Sequence, residues 1–600
     1  MKLRSSIKLT NTLVKISSFL MVATMILVST YRVFFKLEMT DEGYYLLAAK
    51  YGNEVIGNFF AIPNHLMWSL SGSNLTIFRF IGLMIIFGSS ILFSSSLEKV
   101  VRFVFKAEFV QAKFPNRLLI HCIPGFIYTL SVEISTPSYN TISFAALYCV
   151  GACVLSTLVS GKRIYRKGAY VAVGLLSFIG FLGKPFVLIG CLIMIAMTGM
   201  RRIIEAVLGV LIGILFFPIF SQRNTSFIDN FVISRELAYK VSTGYETSNL
   251  ISDALNSIRY SVGGFFVTEV KDLGNWLVLL IIIVVLLKQR NYSILLNLEL
   301  IALWVIIKCS LVRFEESRNG IIYVVLLVIC LRILQLTKLK SLGVSETSML
   351  LCATAIVLII PPFFAFGTMA GGLMPKWGQA AGIVLSLFLI LSLYAEQLLP
   401  RKQSFSFKIN YLLTILVLIG QIAYVFINPQ HTSGGIKRNT SLVYQSISPI
   451  WIEEKQRQLF KIVEETKLQS EYINAVKRDA ILLDLTDFQT TLAWIIGLRT
   501  AKTIVMLSPE QSPGKLGQQA DIEFLKFALL QQKKFEPGSL DSPIILLSKE
   551  FSNCSWETNK CKLKGSLSGI EKVISQFIKG YPMSYSVIAE LDENILIVKE

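Results

Sequence analysis

The sequence predicts a polytopic α-helical membrane protein with a soluble α/β domain after its last span, and three observations predict it. Apolar residues make up 53% of the 600 residues and charged residues only 16%, a balance that puts most of the chain in a bilayer. Apolar runs long enough to cross recur from about Val14 to Phe426 and then stop. Basic residues gather in every second short connection, the pattern of the positive-inside rule.

The apolar runs place about thirteen spans near residues 14–34, 77–97, 118–134, 141–160, 169–183, 186–199, 203–220, 266–287, 294–312, 320–336, 348–366, 379–395 and 410–427. Residues 1–427 therefore form the membrane part and residues 428–600 the soluble part. The fifth and sixth runs are too short to cross about 30 Å of hydrocarbon upright, so a bent pair reaching a cavity is expected there.

The net charge of +19 would suggest nucleic acid in a soluble protein. Here the excess sits in short loops: Lys2, Arg4 and Lys8; Lys99 to Arg117; Lys162 to Lys167; Arg201 and Arg202; Lys288 and Arg290; Arg332 to Lys340; Arg401 to Lys408. Nucleic-acid binding is accordingly not expected. Following the basic loops puts the amino terminus in the cytoplasm, and the odd number of spans carries the tail outside. The external loops are then unequal: 36–76 and 221–265 are long, and Arg313-Phe314-Glu315-Glu316-Ser317-Arg318 is short but densely charged.

Of the nine cysteines, only Cys554 and Cys561 lie in the tail. With six residues between them in a turn-like insert, they are expected to close a small disulfide loop in an oxidising compartment. The tail alternates helix-permissive and strand-like stretches. Residues 452–476, 488–496 and 522–532 read as helical, and 480–483, 544–547, 585–589 and 595–598 as strands. It holds no glycine-rich phosphate loop and no metal-spaced His/Cys cluster.

The chemistry is expected where Thr40-Asp41-Glu42-Gly43-Tyr44-Tyr45 follows the first span on a short amphipathic stretch. A carboxylate at the membrane surface can act as a general base if it reaches an acceptor hydroxyl, and adjacent carboxylates raise one another's pKa. The same residues also suit a helix start, where Thr40 or Asp41 would cap free amides and acids favour the dipole. Pro63-Asn64-His65 precedes the second span, Arg79 opens it, and Gly183-Lys184-Pro185 follows the fifth.

This segment, with the topology, resembles the integral membrane glycosyltransferases of the C fold, and within them the protein O-mannosyltransferase and aminoarabinose transferase group. The likeness rests on motifs over the first two hundred residues and on topology beyond. It implies transfer of one sugar from a polyprenyl-phosphate donor to a glycan, lipid or protein acceptor on the outer face, with inversion. Asp41 matches the catalytic acid, and Glu42 beside it is expected to share that work. The lipid phosphate that leaves must be met by fixed cations, which arginine forks suit. External candidates are Arg79, Arg235, Arg259, Arg313 and Arg318, with Lys184 and Lys240. Lys184, flanked by apolar runs, is a functional candidate by its position in the membrane, or else snorkels to the headgroups.

Glu133, His65, Tyr44 and Tyr139 are expected to orient the acceptor or to serve the fold. The run Pro361-Pro362-Phe363-Phe364-Ala365-Phe366-Gly367 reads as an isoprenoid groove or as lipid-facing helix. No obligatory cofactor or metal site is expected, and a divalent cation at Asp41 and Glu42 stays open. The resemblance puts the chain in the inner membrane of a cell envelope, with the tail in the periplasm. Two other readings remain: an O-antigen polymerase or ligase that uses undecaprenyl-diphosphate glycans through the arginines of 221–265, and a transporter or flippase for a lipid-linked sugar. Paired halves, which the transporter would need, are not evident.

Overall fold

The structure is a computed structural model that describes residues 2–34, 41–105 except 53, 114–159 except 132–133, 164–241 except 222–226, 343–365, 382–398 and most of 440–599. The expected spans at 266–287, 294–312 and 320–336 lie outside the described residues, as does nearly all of 410–427.

The chain is mostly helical. Its membrane part contains α1 (Lys2–Phe34), α2 (Asp41–Lys50), α3 (Ala61–Leu70), α4 (Leu75–Phe105), α5 (Phe114–Ser131), α6 (Tyr139–Val159), α7 (Ile164–Gly183), α8 (Pro185–Ala196), α9 (Met200–Ser221), α10 (Phe227–Val241), α11 (Val344–Ala365) and α12 (Gly382–Leu398). Five helices among the described residues, within α1, α4, α6, α9 and α11, are long and apolar enough to cross a membrane, so the chain is membrane-embedded. Apolar stretches in α5, α7, α8 and α12 are shorter. Helix α8 has only twelve residues in all.

One core runs through α1, α4, α5, α6, α8, α11 and α12, with Phe93, Phe126, Phe144 and Tyr148 buried at its centre. Proline inside α5 is accommodated chemically. Pro124 has no amide to offer, so the Ile120 carbonyl one turn earlier loses its helical partner; Ser386 of α12 donates to it at 2.8 Å. Ser90 of α4 donates to the His121 carbonyl at 2.8 Å and accepts from the Gly125 amide at 3.0 Å. The break thus becomes a junction of three helices.

After the membrane part come the hairpin β1 (Thr440–Gln445) and β2 (Ser448–Glu453), α13 (Glu454–Thr466), α14 (Ser470–Lys477), β3 (Ile481–Leu485), α15 (Thr490–Ile496), β4 (Arg499–Thr500), α16 (Gly517–Phe535), β5 (Ile544–Ser548), the hairpin β6 (Ser552–Ser555) and β7 (Lys560–Leu563), α17 (Ser568–Phe577), β8 (Tyr585–Leu591) and β9 (Asn594–Lys599). Strands β4, β3, β5, β9 and β8 form one sheet in that order. The first three are parallel and the last two pair antiparallel. Alternation along β3 sends Ile481, Leu483 and Leu485 to one face, against α16 and α17, and Leu482 to the other.

That second face is where tail and membrane part meet. A single buried cluster joins Leu482, Leu492, Trp494, Ile544 and Leu596 of the tail to Tyr45, Leu46, Leu47, Trp68 and Phe78. Strand β2 also touches α1 and α4.

Candidate functional site

Helix α2 differs from the expected amphipathic helix on a membrane surface. Glu42, Leu46, Leu47, Ala48 and Ala49 are all buried, because α3 covers one side and α15 of the tail the other. Gly43 makes the second contact possible: a Cβ there would lie 2.0 Å from the Thr491 nitrogen and 2.2 Å from the Thr490 carbonyl carbon. Beyond α2, Lys50 donates to the Gly497 carbonyl at 3.3 Å, and the Tyr51 hydroxyl lies 3.2 Å from that carbonyl and 2.9 Å from that of Leu498. These groups satisfy carbonyls at the C-terminal end of α15. Burial, with the charge of Lys467 nearby, lowers the Lys50 pKa. Arg499 bridges Glu54 at 3.5 Å, Asp479 at 3.2 Å and Glu536 at 2.8 Å.

Under the start of α2 sits a buried ion pair. Arg79, fully buried near the start of α4, donates from Nη2 and Nε to Glu42 Oε1 at 2.6 and 3.1 Å. Its Nη1 donates to the Val33 carbonyl at 3.1 Å. The Thr136 hydroxyl also donates to Glu42 Oε1. Thr136 reaches this point because Gly82 lets the Pro137 ring rest against α4, where a Cβ would meet it at 2.6 Å. A buried pair is kept only where such hydrogen bonds offset desolvation.

Arg79 also lines a small, partly open cleft of about 30 Å³ between α1, α4, α5 and the 134–137 connection. Arg32, Ser29, Thr129 and Thr141 share its walls. Ser29 is 2% exposed, and its hydroxyl meets no hydrogen-bond partner among the described residues. Two guanidinium groups and several hydroxyls around a recess suit an anion with several acceptor oxygens. Arg32 was missed in the sequence, although an arginine inside an apolar run is itself a signal of function.

Other expected residues are distributed around this centre. Asp41 is the first residue of α2, but its side chain lies outside the described residues. Tyr44, Tyr45, Phe60 and Tyr139 form a ring cluster with centroids 5.5 to 5.9 Å apart. His65 Nδ1 lies 2.7 Å from the Ala49 carbonyl, tying α3 to α2.

Lys184 does not snorkel. It is 2% exposed, its ammonium donates to the Phe364 carbonyl at 2.6 Å, and it lies over the Phe364 and Tyr139 rings at 4.5 and 5.1 Å. The charge therefore caps the last turn of α11, a favourable end for a cation. It is also separated from the arginines: Thr141 faces the cleft, whereas Tyr139 and Ser143, on the other side of α6, face Gly183 and Lys184.

Arg235 is exposed on α10, and the Lys240 side chain lies outside the described residues, as do Glu133, Arg259, Arg313 and Arg318 entirely. Among the described residues no three His, Cys, Asp or Glu side chains group as metal ligands. In the tail, the register of β6 and β7 sets Cys554 opposite Cys561, a spacing that a cross-strand disulfide can bridge. No protein-family model matches the chain, and no curated protein does.

Proposed function

We propose that the chain is an integral membrane glycosyltransferase that moves one sugar from a polyprenyl-phosphate donor to a cell-envelope acceptor. The observation that carries this reading is the cleft lined by Arg32 and Arg79, directly beneath the acidic start of α2. A lipid phosphate leaving group needs fixed positive charge as it departs. An acceptor hydroxyl needs a carboxylate within hydrogen-bond reach. Arginine cleft and acidic helix put these two requirements side by side.

In this reading Asp41 is the base. Glu42, committed to Arg79 and Thr136, positions the arginine rather than the acceptor. The chain crosses the inner membrane about thirteen times. Its basic ends face the cytoplasm, and the tail, an α/β domain, sits in the periplasm over α2, where it helps to hold the acceptor. Lys99, Arg102 and Arg202 lie at the helix ends away from α2, which agrees with that orientation. No cofactor is required by this chemistry.

The test is sugar transfer in membranes given a panel of radiolabelled polyprenyl-phosphate monosaccharides, with Asp41→Asn compared to wild type at matched expression. Loss of a general base is expected to lower transfer by about a hundredfold or more. Transfer unchanged in the variant removes Asp41 from the chemistry, and no transfer from any monophosphate donor rejects the reading.

A further inference from the structure

Helix α10 is wedged between the membrane part and the tail, and successive residues step about 100° around its axis. Phe227 packs into the membrane part, its ring centroid 5.2 to 5.7 Å from those of Phe59, Phe181 and Phe217. Asn230 accepts from the Gly57 amide, in the connection between α2 and α3, at 3.5 Å. Ile233 closes a buried cluster with Ile56 and with Phe527 of α16 in the tail. These contacts occupy one side of the helix.

The other side is exposed, and its residues follow an order. Next to Phe227 comes an apolar arc of Phe231, Ile228 and Val232, with Ile228 71% and Val232 48% exposed; Arg235 lies within the arc. Beyond it, before the tail-facing Ile233, come the exposed Glu236 and Asp229. Around the axis the surroundings thus run from membrane core, through exposed apolar surface, to acidic side chains and then to the tail.

What adjoins the apolar arc identifies its occupant. Helix α9, whose Phe217 ring meets Phe227, is the least buried of the five membrane-length helices among the described residues. Leu208, Leu211, Leu215 and Ile219 form one exposed stripe along it, the side that such a helix turns to lipid. The stripe ends near the start of α10, so the arc continues a lipid-facing surface where a span leaves the hydrocarbon. An apolar side that carries a basic residue, opposed to a charged edge, suits a helix lying in a membrane interface.

We propose that α10 lies in the plane of the membrane, with Phe231, Ile228 and Val232 seated in the phospholipid leaflet on the side of α2, Arg235 at its phosphates, and Asp229 and Glu236 turned to water. Arg235 reaches the headgroups by extending along the apolar surface, as long basic side chains do. Asn230 and Ile233 then make the helix a brace, fixed in the leaflet on one side and holding α16 and the α2–α3 connection on the other. The leaflet thereby carries part of the tail's hold over α2. Nothing in this depends on the glycosyltransferase reading.

The test uses the full-length chain in phosphatidylcholine nanodiscs, with a genetically encoded fluorescent amino acid at position 232 in one protein and at position 229 in another. Acyl chains brominated near the headgroup quench only what lies among them. Changing to the brominated lipid is expected to cause loss of most emission at 232 and to leave emission at 229 as it was. Emission kept at 232, as when another part of the chain or a second protein covers the arc, overturns the proposal. Loss at both positions overturns it too, because the acidic edge would then be sunk in lipid.

The brace is read by amide exchange. Ile228→Glu puts a charge into the seated arc and is expected to quicken exchange in α16 by about tenfold, as local opening there loses its support. Exchange in α6, inside the membrane core, is expected to stay as in wild type. Unchanged exchange in α16 overturns the brace. Should Ile228→Glu fail to fold, Val232→Ser weakens the same seat without adding a charge, and a smaller quickening confined to α16 is expected.

Discussion

Replacing Gly43 by alanine is expected to part the tail from the acidic helix. The added Cβ would stand 2.0 Å from the Thr491 nitrogen, 2.2 Å from the Thr490 carbonyl carbon and 2.3 Å from the Thr491 Cα. All three are backbone atoms of α15, so no side chain can turn aside. Reaching ordinary contact at 3.4 Å from 2.0 Å requires α2 and α15 to separate by about 1.4 Å. The interface that must open holds Tyr45, Leu46, Leu47, Leu492 and Trp494 in one core. Overpacking of this kind costs about 1–3 kcal/mol, against which alanine's better helix propensity returns about 1 kcal/mol. The assay is thermal unfolding of the full-length protein in detergent, followed by tryptophan fluorescence, since Trp68 and Trp494 meet across this seam at 6.5 Å. Gly88→Ala in α4, where a Cβ meets nothing within 4 Å, serves as the control. A Gly43→Ala protein that melts with the control, with unshifted tryptophan emission, would refute the close packing of α2 on α15.

Asp484 in β3 is buried, with Oδ1 bound by the Thr486 amide at 3.0 Å and by its hydroxyl, and burial pushes its pKa up to about 6. Because the folded value lies above the 3.8 of an ordinary aspartate, the folded protein holds this proton more tightly than the unfolded chain. Stability is therefore lost as pH rises from about 4 through 6, by about 3 kcal/mol. Asp484→Asn is expected to flatten that part of the unfolding profile, and an unchanged slope would contradict it. Tyr51→Phe removes the hydroxyl that meets the Gly497 and Leu498 carbonyls and is expected to cost about 1–2 kcal/mol. A melting point equal to wild type would show that the contact contributes nothing.

Much of the helical part was legible because apolar run length is a direct physical demand of the bilayer. The run expected at 141–160 is α6 at Tyr139–Val159, and that at 348–366 is α11 at Val344–Ala365. In the tail, β5 and β9 stood out as short buried runs of isoleucine, leucine and valine. The hairpin β1–β2 and helix α17 did not. Ser448-Pro449-Ile450 carries no clean alternation, and the strength of α17 lies in the placement of its apolar residues rather than their number. The site was legible in type but not in wiring. An acid pair and an arginine can be read from the sequence, but the bond from Arg79 to Glu42 spans 37 positions and depends on Gly82 accepting Pro137. Burial of α2 was hidden for the same reason: its cover, α15, is supplied by residues more than four hundred positions away.

Helix α8 carries a last consequence. Twelve residues rise about 18 Å, against about 30 Å of hydrocarbon. Lys184 at its start is dry at 2% exposure, packed against the Phe364 and Tyr139 rings at the end of α11 and the start of α6. At an effective dielectric of about 20, a unit charge 4 Å away is worth about 4 kcal/mol, compared with about 1 kcal/mol in water. The hold of the ammonium on the end of α11 therefore lasts only while water stays out, and opening this pocket weakens it by the same factor.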